Sequence, residues 1–324
     1  MVDIKKYALI LPVYNDWQSL QSLLLQLDQE MHLQPFNISV FVINDHSSEI
    51  LDTANLPSLK ILESIEIVNL VNNLGHQKAL CIGLCAVYEK NVFDAVILAD
   101  ADGEDKAGDI PKIINFHLNN PNKVIVAKRR MRKEGSLFKI GYFLYKRIFK
   151  VATGKVIDFG NFSLIPQQYL EVLVAMPELW SHIPGTLIRS KVELMKVSFD
   201  RGERLAGLSK MNYSALVMHG LAGVTVFIDI ALTRLLLSLS MVIITVLFLS
   251  SIVISIKFFT NMAIPGWTTI SLGLLILLLS QCIMLAIIAL FTILSQKSLT
   301  LNIPKLYFYS FISSNKNIYT QKKC

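Results

Sequence analysis

Charge is scarce in this chain, and scarcest near its end. Asp, Glu, Lys and Arg make up 17% of the 324 residues, and from Leu235 to Gln296 Lys257 is the one charged side chain. An ordinary soluble surface is excluded there, because solvated helices carry polar and charged residues on their outer face. Cysteine is also rare. Cys81 and Cys85 stand one helical turn apart, Cys282 lies in an apolar run and Cys324 is terminal. None has zinc-type spacing, and cytoplasmic thiols stay reduced. No Gly-x-Gly-x-x-Gly follows the first strand-like run and no Gly-x-x-x-x-Gly-Lys-Ser/Thr occurs, which argues against a dinucleotide dehydrogenase or a P-loop enzyme. A signal peptide is not expected either: Asn15 and Asp16 follow the apolar Tyr7–Leu11 too soon for an apolar region and cleavage site. The net charge of +7 comes with no nucleic-acid motif, so lipid head groups or phosphorylated substrates explain it better.

What is abundant is apolar residue, 53% of the chain, with a mean hydropathy of +0.50. About 20 apolar residues cross a hydrocarbon core. The sequence holds two such stretches, placed at 235–256 and 269–294, with Asn261, Pro265, Gly266 and Trp267 as the turn between them. Two buried core helices are the other reading, and the length without charge argues against it. Lys196, Arg201, Arg204, Lys210 and Arg234 precede the first stretch; Lys297, Lys305, Lys316, Lys322 and Lys323 follow the second. The positive-inside rule puts both flanks and both termini in the cytoplasm, with 297–324 as a basic tail. Residues 137–150 carry Leu137, Ile140, Phe143, Leu144, Ile148 and Phe149 on one stripe and Lys139, Lys146, Arg147 and Lys150 elsewhere. That pattern suits an interfacial helix or a helix packed on a sheet, and 211–230 is a second candidate.

The first 130 residues alternate between strand and helix patterns. Strands are expected at 7–13, 39–43, 66–70, 95–99 and 123–127, and helices at 17–31, 75–88 and 109–117. Alternation of this kind implies an α/β domain with a doubly wound, mostly parallel sheet, here spanning about 1–220. Such sheets bind ligands beyond the carboxyl ends of their strands. The first strand ends in Pro12-Val13-Tyr14-Asn15, the second in Asn44-Asp45-His46-Ser47, the fourth in Asp100-Ala101-Asp102-Gly103-Glu104-Asp105.

Asp100 and Asp102 can hold a divalent cation together with substrate phosphates, as magnesium sites commonly do. In isolation the same pair reads first as a solvated acidic turn capping the next helix; its position at a strand end and the companion motifs favour the cation. Asp45 and Ser47 suit contacts to a nucleoside, or an Asx turn or helix cap. Arg201-x-x-Arg204 followed by Gly207-x-Ser209-Lys210 suits a loop over phosphates, or a basic strip before a membrane span. His46, His76 and His182 are scattered and not expected to bind metal; His76 reads as a helix-start residue lining the cleft.

Taken in order, Val13-Tyr14-Asn15, Asn44-Asp45-x-Ser47, Asn73-Leu74-Gly75, Asp100-x-Asp102, Asp158-Phe159-Gly160-Asn161-Phe162-Ser163-Leu164 and the 201–210 motif resemble family 2 glycosyltransferases. The chain is most similar to those acting on polyprenyl phosphates, dolichol-phosphate mannose synthase-like enzymes and bacterial counterparts with two C-terminal membrane helices. The resemblance implies a GT-A fold and inverting transfer from a UDP- or GDP-sugar to a lipid such as undecaprenyl phosphate, in a homo-oligomer, with Mg2+ or Mn2+. By position, Asp100 and Asp102 would bind metal and diphosphate. Arg201, Arg204, Ser209 and Lys210 would bind phosphates, Asp45 the nucleoside, and Pro12, Tyr14, Asn15, Ser47, Asn73, Gly75 and Asn161 other parts of the substrates. Lys128, Arg129 and Arg132 fall where the family often has arginines near the lipid phosphate.

Two departures stand out. Relatives usually have Asp-Phe-Arg-Leu where this chain has Asn161-Phe162-Ser163-Leu164, and often Leu-Gln-Asp where it has Gly103-Glu104-Asp105. A phosphate acceptor needs no proton removed before attack, so an absent acid at 161 is compatible with it. Another membrane-side acceptor, such as a lipid-linked oligosaccharide, and a non-catalytic scaffold are the alternative readings.

Overall fold

The computed structural model describes residues 4–32, 34–49, 51, 59–129, 146–206, 213–298 and 302–320. The chain divides into two units: one of residues 1–139, 157–226 and 301–324, the other of 140–156 and 227–300.

The first unit is built on one eight-stranded sheet. Its strands are β1 (Lys5–Val13), β2 (Phe36–Asn44), β3 (Ser64–Leu70), β4 (Ala95–Leu98), β5 (Val124–Arg129), β6 (Ser163–Pro166), β7 (Leu194–Phe199) and β8 (Ile312–Thr320), in the order β7-β5-β6-β4-β1-β2-β3-β8. β1 runs parallel to β2 and β4, β2 to β3, and β5 to β7; β6 and β8 run antiparallel to their neighbours. The sequence of β1, Tyr7-Ala-Leu-Ile-Leu, is apolar without alternation because both faces of a central parallel strand are covered. Leu9 and Leu11 face one core with Leu20 and Leu24 of α1 (Trp17–Glu30) and Ile113 of α3 (Asp109–Asn119). Ala8 and Ile10 face the other, with Ile82 and Leu84 of α2 (His76–Lys90). α2 lies close on the sheet at Gly83, where a Cβ would sit 2.6 Å from Ile10 Cγ2 and 3.1 Å from Ile43 Cγ1. Cys81 and Cys85 are buried free thiols on α2; burial first, and the neighbouring Cys85 second, push the Cys81 thiol up.

All five expected strands and all three expected helices are present, with ends moved by up to three residues. β6, β7 and β8 were not expected. β6 comes from the Asn-Phe-Ser-Leu motif itself, with Ser163 opposite Leu98 of β4. The segment 297–324, expected to be a basic tail, instead contributes β8, which pairs with β3 from Ser64 to Leu70. Its Phe308 is 1% exposed in the core beneath α2. The helices α5 (Gln167–Val174) and α6 (Ile183–Arg189) complete that side, and α7 (Tyr213–Thr225) lies within the expected 211–230 segment.

The second unit contains α4, described over residues 146–153, and two long helices, α8 (Ile228–Phe259) and α9 (Trp267–Ser298). Both are long and apolar enough to cross a membrane. They pack along each other. Leu239, Val246, Cys282 and Ala289 are buried, whereas Phe258 and Phe291 are 74% and 69% exposed. A helix hydrophobic all round, buried along one seam and open elsewhere, is suited to hydrocarbon as its solvent. Phe149 of α4 meets the Phe227 ring edge-on, and Arg234 donates to the Val151 carbonyl at 2.7 Å. The proposed interfacial segment 137–150 lies outside the described residues up to 145.

Candidate active site

The carboxyl ends of β1, β2 and β4 meet at one edge of the sheet, and hydrogen bonds fix the loops that leave them. Asn15, in the left-handed region at φ 49°, donates its backbone N–H to Ser47 Oγ at 2.9 Å, and its Oδ1 accepts from Ser48 Oγ and the Glu49 amide at 3.2 Å each. The Ser47 amide donates to Asn44 Oδ1, Asn44 Nδ2 to Asn69 Oδ1, and Asn69 Nδ2 to Ser314 Oγ of β8, at 3.0, 2.8 and 3.0 Å. A continuous chain of polar groups thus ties β8 to the loops after β1 and β2.

Asp45 was expected to contact the nucleoside. It is 4% exposed, and its two oxygens accept the Leu74 and Gly75 amides at 2.7 and 2.9 Å. Its carboxylate holds the loop entering α2, where Gly75 takes φ 88°, a value that strains any side-chain-bearing residue. Tyr14, 44% exposed, Asn73 and His76 reach the surface at this edge. Pro12 and Ser47 are partly buried beside them.

Beyond β4, Asp100, Asp102 and Glu104 bring one carboxylate oxygen each within 4.8 Å of one another. The turn is closed by Asp105, which accepts the Asp100 amide at 2.8 Å, and by Asp102, which accepts the Glu104 amide at 3.0 Å. Three half-buried carboxylates in so small a volume repel one another, and cations gather around them. Arg204 Nη1 pairs with Asp102 Oδ2 at 3.1 Å while Nη2 pairs with Asp16, and Arg201 pairs with Glu104. His76 Nε2 lies 3.3 Å from Asp100 Oδ1. The arginine segment docks through its backbone as well. Gly202 donates to the Glu104 carbonyl and Leu205 to the Asp102 carbonyl, both at 2.9 Å. A Cβ on Gly202 would stand 2.4 Å from the Gly103 carbonyl oxygen.

A hard divalent cation fits this set: oxygen donors only, clustered, with more than one carboxylate. Asp100 and Asp102 were expected there; Glu104 and the arginine partner Asp16 were not. The signal for Glu104 lay in the Gly103-Glu104 departure, but only the folded turn shows that it returns to the cluster. Arg201 and Arg204, expected to bind phosphates, sit on the acids themselves.

On the other flank, Asp158 receives Lys196 Nζ at 2.7 Å and Lys128 Nζ at 3.6 Å. Burial alone would raise the Asp158 carboxyl, but the hydrogen bond and charge of Lys196, with Lys128 adding to them, hold it below the ordinary carboxylate range. Arg129 ends β5 and its side chain lies outside the described residues, as do Arg132, Ser209 and Lys210. Asn161 precedes β6 and reaches the His76 ring at 3.0 Å.

Residues 8–173, half of the chain, match the family described as Glycosyl transferase family 2. The chain belongs to that family. This family 2 glycosyltransferase is similar to the bactoprenol glucosyl transferase of Shigella phage SfX, 26% identical over 225 residues that cover 68% of this chain and 72% of the relative. An uncharacterized glycosyltransferase of Bacillus subtilis is 25% identical over 272 residues, 82% of this chain and 81% of its own. Among solved structures, glucosyl-3-phosphoglycerate synthase from Mycobacterium tuberculosis, in complex with Mn2+, UDP-glucose and phosphoglyceric acid, superposes with a TM-score of 0.51 at 12% identity, covering 70% and 80% of the two chains. That likeness is one of fold, and the fold is GT-A.

Proposed function

We propose that this glycosyltransferase moves a sugar from a nucleoside diphosphate to a polyprenyl phosphate, with inversion, at the cytoplasmic face of a membrane. The observation that carries this reading is the half-buried Asp100–Asp102–Glu104 cluster, with Arg201 and Arg204 already within its reach, in a chain that also carries two apolar helices. The name of the phage relative, a bactoprenol glucosyl transferase, supports the acceptor class.

Asp100, Asp102 and Glu104 would hold the cation, which when bound neutralises charge developing on the diphosphate leaving group. Arg201 and Arg204, forked donors suited to phosphate oxygens, would turn from the acids to the diphosphate. Asp45 keeps the Leu74–Gly75 backbone in place below the donor. Lys128 and Lys196, gathered on Asp158, would receive the acceptor phosphate. The acceptor oxygen, already an anion, attacks the anomeric carbon, and the bond to the diphosphate breaks with its electron pair leaving on the nucleoside diphosphate. No proton has to be removed. Both ends of the apolar hairpin join the sheet-bearing unit, which supports placing both flanks on one side of the membrane.

Detergent-solubilised protein would be given undecaprenyl phosphate, Mg2+ or Mn2+ and a panel of UDP- and GDP-sugars. A lipid heavier by one sugar residue, detected by mass spectrometry, is expected from at least one donor. If sugar passes only to lipids lacking a terminal phosphate, the acceptor assignment is wrong.

A further inference from the structure

An aspartate just before a helix ordinarily caps it, its carboxylate accepting one of the first free amides. Asp16 stands at that position before α1, yet its side chain makes no capping bond. The carboxylate is turned instead to Arg204 Nη2, from a residue 188 positions away in the chain. The helix begins without its help. Leu20 donates to the Asp16 carbonyl at 3.2 Å, and Trp17 Nε1 donates to the Glu49 carbonyl at 2.8 Å.

Arg204 is engaged on three sides. Nε donates to the Ala206 carbonyl at 2.9 Å, Nη2 to Asp16, and Nη1 to Asp102 Oδ2 at 3.1 Å. These partners differ in kind, because Asp102 belongs to the acidic cluster whereas Ala206 and Asp16 lie outside it. A guanidinium is planar and its hydrogens point in fixed directions. The two outside contacts therefore set its plane and leave Nη1 aimed at the cluster. When a cation takes Asp102, Nη1 is released in place while Nε and Nη2 stay bound. The side chains of Asp16, Asp102 and Arg204 are all partly exposed, so an arriving anion can reach that edge.

We infer that Asp16 is a positioning residue: it holds Arg204 with one N–H edge turned to the acidic cluster, so that the diphosphate of the donor meets an arginine already oriented. This rests on the sugar-transfer reading above and adds the residue that prepares its phosphate site. The sign of the effect separates positioning from plain charge. A carboxylate beside an anion site repels the anion, so on Coulomb's law alone its removal tightens binding. A carboxylate that orients the arginine does the reverse. Without it, a long side chain must give up its rotamer freedom as the anion binds.

The test titrates the full chain in detergent, with Mg2+ present, against UDP and GDP by calorimetry, and follows whichever nucleotide binds. Asp16→Ser keeps a good capping residue at the start of α1 and removes the carboxylate. It should weaken nucleotide binding roughly three- to tenfold, the cost of ordering one such side chain, with an unchanged stoichiometry showing that the variant is folded. Asp16→Ala loses no capping bond, since none is made, and should act in the same direction. In an Arg204→Gln background nothing is left to orient, and Asp16→Ser should leave the affinity unchanged or improve it. Unchanged or tighter binding by both Asp16 variants in the wild-type background overturns this inference alone, as does an equal loss in both backgrounds. Wild-type protein that binds neither nucleotide overturns it together with the sugar-transfer reading.

Discussion

At the scale of single residues, Asp45 shows how a motif read as a ligand contact can work as a scaffold. Two amides converge on its carboxylate, and an amide side chain could satisfy only one of them while turning an N–H against the other. Asp45→Asn should therefore cost about 1–3 kcal/mol of stability and raise the donor KM, measured by thermal unfolding and by titration of the nucleotide sugar. A conservative role at the nucleoside edge alone would change KM and leave the melting temperature in place. Asp158 gives a prediction in pH. Its folded-state pKa is depressed, so its pairing stabilises the protein above the unfolded value of about 4, and that contribution is lost as pH falls through the lower folded value. Asp158→Asn should flatten the acid limb of stability, read as melting temperature between about pH 5 and 2; an unchanged limb would assign the acid sensitivity elsewhere. The carboxylates of Asp100 and Asp102 were legible in the sequence because strand ends announce themselves as apolar runs broken by acids; the pairing of Asp158 with Lys196 and Lys128 was not, since it joins residues far apart in the chain. The role of Asp45 was not, since Leu74 and Gly75, 29 and 30 residues away, bind it through backbone amides that carry no sequence signature.

At the scale of elements, the turn after β4 and the segment after β7 act as one piece. Beside the arginine pairs their contact is backbone on backbone, and Gly202 is the residue that permits that approach. Gly202→Ala would place a methyl 2.4 Å from a carbonyl oxygen that no rotamer can move aside. Donor affinity should fall at least several-fold in Gly202→Ala, whereas Glu203→Ala, at an exposed neighbour, should leave it unchanged. Equal affinities would mean that the two segments need not stay docked during binding. Periodicity revealed β1 to β5 and their helices because these bury apolar faces. It passed over β6, which starts inside a polar motif, and β7, an edge strand most of whose residues are only partly buried. It also passed over β8, whose Ile-Ser-Ser-Asn-Lys-Asn-Ile-Tyr-Thr pattern is polar, as an edge strand's is. His76 was read as a helix-start residue, which it is; its engagement with Asn161 needs a pairing across 85 positions that only the fold supplies.

For the molecule as a whole, the order of the chain matters as much as its contacts. The sheet is not complete until residues after the second apolar helix have returned to it as β8, carrying Phe308 into the core and Ser314 into the polar chain that reaches the loops after β1 and β2. Removing residues 299–324 exposes the β3 edge and that part of the core. The truncated protein should aggregate or lose several kcal/mol of stability, and it should bind nucleotide poorly even in detergent. A truncated form with full donor affinity would make β8 an ornament of the sheet. The two long apolar helices were plain in the sequence because a run without charge has few other uses. That the chain beyond them belongs to the sheet was hidden by its basic, polar composition.

The most direct test of the central claim is the release of nucleoside diphosphate by the purified protein with and without polyprenyl phosphate. Release is expected to require the lipid phosphate and a divalent cation together, and to fall about 100-fold or more in Asp102→Ala while nucleotide binding without cation persists. Release that proceeds equally without the lipid, or that survives in Asp102→Ala, would contradict a sugar transfer built on the acidic cluster and aimed at a polyprenyl phosphate.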